Sequence, residues 1–182
     1  MPTLQGQFLV ASPYLGDGNF NRSVVLVIKH DEDGAFGLVL NRPTDSTVSD
    51  IWKVVAETPS DCLDPIYLGG PVSGPLVALH SLSSASEAEV VEGVFFSAHK
   101  DHLDRVVRAQ PPFRLFSGYS GWDKGQLDGE MEAGGWLTCP ATAEFVFYKP
   151  DDLWEQLVRI IAREILAPAI KTNQLPSDPS LN

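Results

Sequence analysis

The apolar positions near the N-terminus form three short runs separated by turn residues: "GQFLVAS", "SVVLVIKH" and "AFGLVLN". The middle run, Ser23 to His30, is rich in β-branched residues and almost continuously apolar, which predicts a strand buried on both faces. An Asp-Gly turn at Asp31 to Gly34 joins this strand to the third run, so the two are expected to form a hairpin. Gly37 inside the return strand indicates a β-bulge or a close backbone approach.

Further along the chain, apolar residues recur at helical spacing. The segment "STVSDIWKVVAET" predicts a helix with Ser46 or Thr47 as its N-cap. The segment "HKDHLDRVVRAQ" predicts a second helix that ends before Pro111, and "KGQLDGEMEA" predicts a short third one. The clearest pattern is "DDLWEQLVRIIAREIL", whose single apolar stripe consists of Trp154, Leu157, Val158, Ile161 and Ile165.

The remaining apolar runs are short and bounded by turn residues, as strands are; they read "PIYLGGPV", "PLVALHS", "VEGVFFS", "FRLFSGYSGW", "GWLTCPA" and "EFVFYK". Regular alternation of strand and helix is missing, so a doubly wound parallel sheet is not expected. Residues 1–166 are predicted to form one α/β domain, with a mixed, largely antiparallel sheet and helices packed on it. Residues 167–182 have no periodicity and carry three prolines, which predicts a flexible tail.

The charge balance restricts the classes of partner. Lys plus Arg number 13 against 24 Asp plus Glu in 182 residues, so the formal net charge is −11. Such a field repels nucleic-acid phosphates and anionic membranes, and direct binding to either is not expected. No signal peptide and no membrane span are evident, which favours a cytoplasmic protein with reduced thiols. Cys139 follows "GWLT" and reads as a buried hydrophobic residue, not a nucleophile.

The stretch "SGYSGWDKGQLDGEMEAGGW", residues 117–136, looks most like an active site. A nucleophile elbow would need glycine where Trp122 stands, two residues after Ser120. A catalytic histidine would have to follow in an α/β-hydrolase, yet all four histidines precede the motif. The pattern therefore argues against a serine hydrolase.

Metal and cofactor patterns are also incomplete. His99 and His102 are three residues apart on a predicted helix, but no third ligand is apparent, so a solvated polar helix start is favoured. "DGNFN" departs from a calcium loop at Arg22 and Ile28. "GGPVSG" matches neither phosphate-binding glycine pattern and reads as a tight turn. The sequence predicts no cofactor and no metal.

Four blocks occur in order between Gly6 and about Leu166. They are F-x-R-S-V from Phe20, G-x-V-x-N-x-P from Gly37, L-G-G-P from Leu68, and G-x-x-x-W-x-x-G-Q-L from Gly118. Together they resemble the YqgE/AlgH family of bacterial proteins. The resemblance implies an α/β sandwich and no established enzymatic activity. The family name derives from a proposed regulatory role in alginate synthesis.

The resemblance favours a structural interpretation of the tryptophan motif. Gly118 and Gly125 are expected to allow a strand-to-helix turn, with Trp122 packed inward and Gln126 and Glu130 bonded to nearby backbone. The candidate ligand or partner surface consists of Asn41, Arg42, Ser120, Trp122, Gln126 and Glu130. The leading hypothesis is a non-catalytic binding or regulatory domain that acts through a protein partner. A transcriptional regulator, and a small-ligand binder or hydrolase using the groove near Trp122, are the alternatives.

Overall fold

The computed structural model describes residues 2–56, 58–148 and 151–172, whose strands divide between two sheets. The strands are β1 Gln7–Ala11, β2 Val24–Asp31, β3 Gly34–Val39, β4 Pro43–Thr47, β5 Pro65–Leu68, β6 Val77–His80, β7 Ala88–Val91, β8 Val94–Ser97, β9 Phe113–Ser117, β10 Ser120–Asp123 and β11 Trp136–Pro140. The helices are α1 Val48–Val55, α2 Lys100–Ala109, α3 Gln126–Glu132, α4 Ala143–Phe147 and α5 Leu153–Thr172.

The two sheets differ in how their strands run. The first has five strands in the order β10-β3-β2-β1-β11, and every pair is antiparallel. The second has six strands in the order β4-β5-β9-β6-β8-β7, with β5 and β9 parallel and the other pairs antiparallel. The expected mixed, largely antiparallel α/β sandwich is therefore confirmed, with the strands shared between two sheets.

Alternation along β2 shows how the sheets pack. Val24, Leu26 and Ile28 face the second sheet and belong to the same buried cluster as Leu79 and Phe116. Burial of this apolar area, at about 25 cal/mol per Å², is the main force holding the two sheets together. Helix α5 adds to the same cluster through residues one turn apart: Leu153, Leu157 and Ile161.

The outer faces of both sheets are covered by helices. The strand residues Val25 and Val27 point away from the second sheet and pack with Trp122 and with Leu127 of α3. On the outer face of the second sheet, α1 and α2 bury an apolar cluster that includes Val48, Trp52, Leu103, Val106 and Val107. The result is four layers in the order helix, sheet, sheet, helix.

The local predictions for the N-terminal half are confirmed. Residues Val24 to Ile28 are buried on both faces, and β2 and β3 form the antiparallel hairpin. The register shifts beside Gly37, where an added Cβ would lie 2.8 Å from the carbonyl oxygen of Leu26, so both the bulge and the close approach are present. Thr47 is the N-cap of α1 and forms a capping box with Asp50.

Several other expectations were wrong. "EFVFYK" is not a strand but the short helix α4, because the Thr142 hydroxyl caps the N–H of Phe145 and starts a turn. The strands β4 and β7 were missed, and β10 was not separated from β9 within the run "FRLFSGYSGW". Each of the three is four or five residues long and partly polar. All three lie at sheet edges, where one face or one edge meets solvent and an apolar run is not required.

The last helix also differs from its prediction. The helix continues through Pro168 to Thr172, six residues beyond Leu166, and the expected domain boundary at Leu166 stays a prediction. Ile165, assigned to the buried stripe, is 65% exposed. The rest of the expected tail, residues 173–182, lies outside the described residues. Within the described residues, the helices lack the length and apolar character needed to cross a membrane.

Candidate functional site

The chain passes from the second sheet to the first at Gly118, between β9 and β10. Gly118 has φ +72, and a Cβ there would lie 2.8 Å from the carbonyl oxygen of Val72. Gly69 meets the same crossing from the other side, since its Cβ would lie 2.3 Å from the carbonyl oxygen of Gly118. Only glycine lets two backbones approach so closely, so the L-G-G-P and G-x-x-x-W blocks form a single junction.

Backbone hydrogen bonds hold this junction. Val72 and Tyr119 exchange N–H to carbonyl bonds of 3.0 and 2.9 Å. The carbonyl of Gly69 accepts from the backbone N–H of Val39 at 2.8 Å and from the hydroxyl of Ser120 at 3.1 Å. Ser120 is fully buried, and its proton is committed to that carbonyl. This environment suits a structural hydroxyl and does not present a nucleophile.

Beyond the junction, one carboxylate binds two tryptophans. The indole N–H groups of Trp122 and Trp136 donate to Oε2 of Glu130 at 3.0 and 2.8 Å. The ring of Phe20 stacks on Trp122 and meets Trp136 edge-on. Trp122 is 5% exposed, so the expected inward packing of its ring is what the structure shows. Glu130, expected to bond backbone, binds these side chains instead.

Gln126 completes this cluster at the start of α3. Its Oε1 accepts from the backbone N–H of Asp123 at 3.1 Å, and its Nε2 donates to Oε1 of Glu130 at 3.0 Å. Gly125 precedes the helix with φ +70, a left-handed conformation that favours glycine. The expected strand-to-helix turn therefore lies at Gly125, whereas Gly118 joins two strands.

Asn41 and Arg42 occupy a separate position. The Asn41 side chain accepts from the N–H of Val24 at 2.9 Å and donates to the carbonyl of Arg22 at 2.8 Å. Arg42 donates to the carbonyls of Asn19 and Asn21. Both residues thus fix the 19–23 loop, from which Phe20 reaches the tryptophans. The structure brings Trp122, Gln126 and Glu130 together and links Asn41 and Arg42 to them only through this loop.

The residue that sequence reasoning missed is Arg114. Along β9, Phe113 and Leu115 face α1 and α2, whereas Arg114 and Phe116 face the space between the sheets. Arg114 is 3% exposed and donates to the carbonyls of Leu40, at 2.6 Å, and Tyr148. The signal was the charge inside the apolar run "FRLFS", where alternation places it on a buried face.

The guanidinium of Arg114 is incompletely paired. The Nε atom is buried and has no hydrogen-bond partner among the described residues. The central carbon of the guanidinium, Cζ, lies 4.8 Å from the centre of the Tyr67 ring. Burial lowers the pKa of Arg114, an effect that Tyr67 and Asp64 oppose. Arg114 lines a cavity of about 210 Å³ together with Leu40, Asn41, Pro43, Tyr67, Asp151 and Leu153. A buried cation, with one donor unpaired among the described residues, therefore lies at the wall of this cavity.

Two other groups have chemistry of their own. Burial raises the pKa of the Cys139 thiol to about 11, so the group is a neutral thiol near pH 7. On the far sheet edge, Glu87, His99 and His102 present ligand atoms within 4.8 Å of one another. The sequence supplied the histidine pair but gave no reason to place Glu87 beside it.

Two facing sheets joined at a glycine crossing, with helices outside and an indole–carboxylate cluster on the outer face of the first sheet, define the class of fold. The chain belongs to the AlgH-like family, whose model matches residues 8–165. A UPF0301 protein of Ruegeria pomeroyi is 38% identical over 174 residues, covering 90% of this chain and 94% of that protein. A UPF0301 protein of Parabacteroides distasonis is 36% identical over 189 residues, covering 98% and 91%.

Solved structures share the fold. The solution structure of the AlgH protein from Pseudomonas aeruginosa matches with a TM-score of 0.73 and 31% identity, covering 98% of both chains. A crystal structure of a Corynebacterium diphtheriae protein matches with a TM-score of 0.68 and 26% identity, covering 85% of both. The names of these relatives specify no reaction, so a function has to be argued from the site.

Proposed function

We propose that this protein acts by binding, and that its ligand is a small molecule carrying a carboxylate or phosphate group that enters the Arg114 cavity. The observation that carries the proposal is a buried guanidinium whose Nε, itself buried, has no hydrogen-bond partner among the described residues. A buried charge without full pairing is costly, by several kcal/mol, and stays in a fold only where something offsets that cost.

The offsets present in the chain are partial. Two carbonyl oxygens accept from the terminal nitrogens, and the charge of Asp64 is favourable. The Tyr67 ring supplies a cation–π contact worth up to about 2 kcal/mol when desolvated. A carboxylate or phosphate can accept from Nε–H and from a terminal nitrogen at once, which is the geometry Arg recognises best. Asp151 on the cavity wall repels such a ligand, so the site would select small or singly charged anions.

The test is isothermal titration with inorganic phosphate, succinate and acetate, using sodium chloride as the ionic-strength control. Binding by the native protein should be lost in Arg114→Gln. Asp151→Asn removes the repulsive charge while leaving the guanidinium in place, and it should bind more tightly than wild type. Equal heats for wild type and Asp151→Asn, with no saturable binding to any of the anions, would contradict the proposal even where Arg114→Gln fails to fold.

A protein partner is the second candidate, and a groove between α1 and α2 favours it. The groove has a volume of about 200 Å³, and its apolar lining includes Trp52, Val55, Leu76 and Leu103. Val54 and Val55 at the end of α1 are 84% and 46% exposed. An apolar side chain from a partner would bury this surface, as anchor residues of interfaces do.

Affinity capture from native cells distinguishes this candidate. A partner that binds the groove should be captured by the native protein and by Tyr14→Asp, whose substitution lies at an exposed site elsewhere. It should be lost with Val55→Asp, which places a charge in the groove. A partner retained by Val55→Asp binds another surface, and the groove then has no part in its recognition.

A further inference from the structure

The inference concerns Glu87, His99 and His102, which two separate segments bring to one edge of the second sheet. Glu87 precedes β7, His99 is the N-cap of α2, and His102 lies in the first turn of that helix. His99 and His102 are on adjacent positions of the helix start, with ring centres 5.9 Å apart. Pairing of β7 with β8 places Glu87 opposite them.

The spacing of the ligand atoms is close to that of a metal site. Nδ1 of His99 lies 2.9 Å from Oε1 of Glu87, and Nδ1 of His102 lies 3.1 Å from the same oxygen. In a tetrahedral zinc site with metal–nitrogen bonds of about 2.0–2.1 Å, neighbouring ligand atoms are about 3.3 Å apart. The two imidazole nitrogens therefore need to move only a few tenths of an ångström away from Oε1 to admit the ion, and all three ligand atoms already lie within 4.8 Å of one another.

The carboxylate is fixed in place before any ligand binds. Its Oε1 accepts from the backbone N–H groups of Ala98 at 2.9 Å and His99 at 2.7 Å. A glutamate side chain is an anion at neutral pH, and its Oε1 is the atom that both imidazoles approach.

Some charges around Glu87, His99 and His102 favour a bound cation, and others disfavour it. Lys100 and the positive end of the α2 dipole disfavour a cation, whereas Asp101 and the net charge of −11 favour one. His99 is 78% exposed at its side chain, so an ion held here keeps a coordination position open to water. Two imidazoles and one carboxylate suit a borderline transition metal better than calcium or magnesium.

We propose that Glu87, His99 and His102 form a zinc-class metal site with three protein ligands, independent of the anion site at Arg114. Binding there would tie the loop before β7 to the start of α2. Sequence spacing alone pointed away from this site because only two of its ligands are close in the chain.

The test uses Zn²⁺ and the full-length protein without an affinity tag, in a non-chelating buffer. Calorimetry should show one saturable Zn²⁺ per chain, and Zn²⁺ should raise the melting temperature. Glu87→Gln keeps an oxygen for the two backbone N–H groups but removes the charge, and His102→Ala removes one imidazole. Both should weaken binding by at least about tenfold, since loss of even an outer hydrogen-bond partner costs about 10–100-fold.

Asp101→Asn is the matched control, because it removes a negative charge from the same helical turn without removing a ligand. Its affinity should stay within about threefold of wild type, in line with the small value of an exposed charge. Any one of three results overturns the proposal. These are no saturable Zn²⁺ binding, unchanged Zn²⁺ affinity in Glu87→Gln and His102→Ala, and a loss of affinity in Asp101→Asn equal to that in the ligand variants.

Discussion

Glu130 shows how much one side chain can organise. Its two oxygens accept from two indoles and one amide, and all three donors belong to residues that cover the outer face of the first sheet. Hydrogen bonds to a charged group contribute about 1.5–3 kcal/mol each. With this carboxylate in place, Trp122 and Trp136 can be buried without leaving their N–H groups unsatisfied.

Trp122→Ala is therefore expected to lower the free energy of unfolding by about 3–5 kcal/mol, since it removes a buried aromatic ring and leaves a cavity beside Phe20. Urea denaturation followed by circular dichroism measures the loss. Tyr14→Ala, at a residue that is 93% exposed, should change stability by no more than about 0.5 kcal/mol. A Trp122→Ala midpoint equal to that of wild type would mean that the ring contributes no packing.

The two cysteines should react differently with a thiol reagent. With its pKa raised to about 11 by burial, Cys139 has almost no thiolate at pH 8, whereas Cys62 is partly exposed. We expect one fast equivalent in the native protein with a disulfide reagent such as DTNB, and its loss in Cys62→Ser. Cys139 should react only on unfolding. Fast labelling of Cys62→Ser at pH 8 would show that Cys139 is accessible.

At the scale of single residues, sequence reasoning identified those whose partners are close to them in the chain. Trp122, Gln126 and Glu130 lie within nine positions of the chain. Trp122 packs inward and Gln126 bonds a backbone N–H, as expected, whereas Glu130 was expected to bond backbone and binds side chains. Arg114 and Glu87 were missed because their partners are distant: Arg114 binds Leu40, and Glu87 meets His99 across a strand pair. Such contacts depend on the sheet order, which periodicity does not specify.

At the scale of elements, the junction at Gly118 decides how the two sheets are joined. Strand β9 ends in the second sheet, and β10 begins in the first only two residues later. Backbone groups of the 69–72 segment fill the space at the crossing, so no side chain fits there. This explains why two glycine blocks far apart in the sequence occur together in one fold.

Three glycine substitutions test this account. Gly125→Ala should lower the free energy of unfolding by only about 1–2 kcal/mol, the cost of a left-handed conformation, because nothing lies within 4 Å of the added Cβ. Gly118→Ala has the same conformational cost, and its added Cβ also collides with the carbonyl oxygen of Val72, so it should be the more destabilising of the two. Gly129→Ala, inside α3 with free space, should stabilise by about 0.5–1 kcal/mol. A lower melting temperature for Gly125→Ala than for Gly118→Ala would contradict the close backbone packing proposed at Gly118.

The longer helices and the buried strands were predictable, whereas the short helix α4 and the edge strands β4 and β7 were not. The continuous apolar run of β2 and the helical stripes of α1, α2 and α5 each bury a face, which leaves a pattern in the sequence. Edge strands such as β4 are mostly exposed and obtain their conformation from pairing with β5. Local propensity gives no sign of such a partner.

For the molecule as a whole, the partners of the Lys and Arg side chains say more about possible ligands than the number of these side chains does. Arg114 is buried, Arg108 is 2.8 Å from Asp104, Arg22 pairs with Glu155, and Lys29 lies 2.6 Å from Asp31. Arg42 is bound to loop carbonyls. Each of these charges is committed within the chain and contributes little to a basic surface, whereas the acidic excess of −11 repels polyanions.

We therefore expect no appreciable binding to duplex DNA near physiological salt, although the family name suggests a regulator. Affinity for DNA rests largely on phosphate neutralisation, and even non-specific DNA-binding proteins reach dissociation constants of about 10⁻⁴–10⁻⁶ M through it. Fluorescence anisotropy with a labelled duplex from the protein's own promoter, at about 150 mM salt, should give no saturation up to about 10⁻⁵ M protein. The same duplex titrated with a basic DNA-binding protein confirms that the probe responds. A sub-micromolar dissociation constant that weakens steeply with added salt would show a phosphate-binding surface, and the charge argument would be wrong.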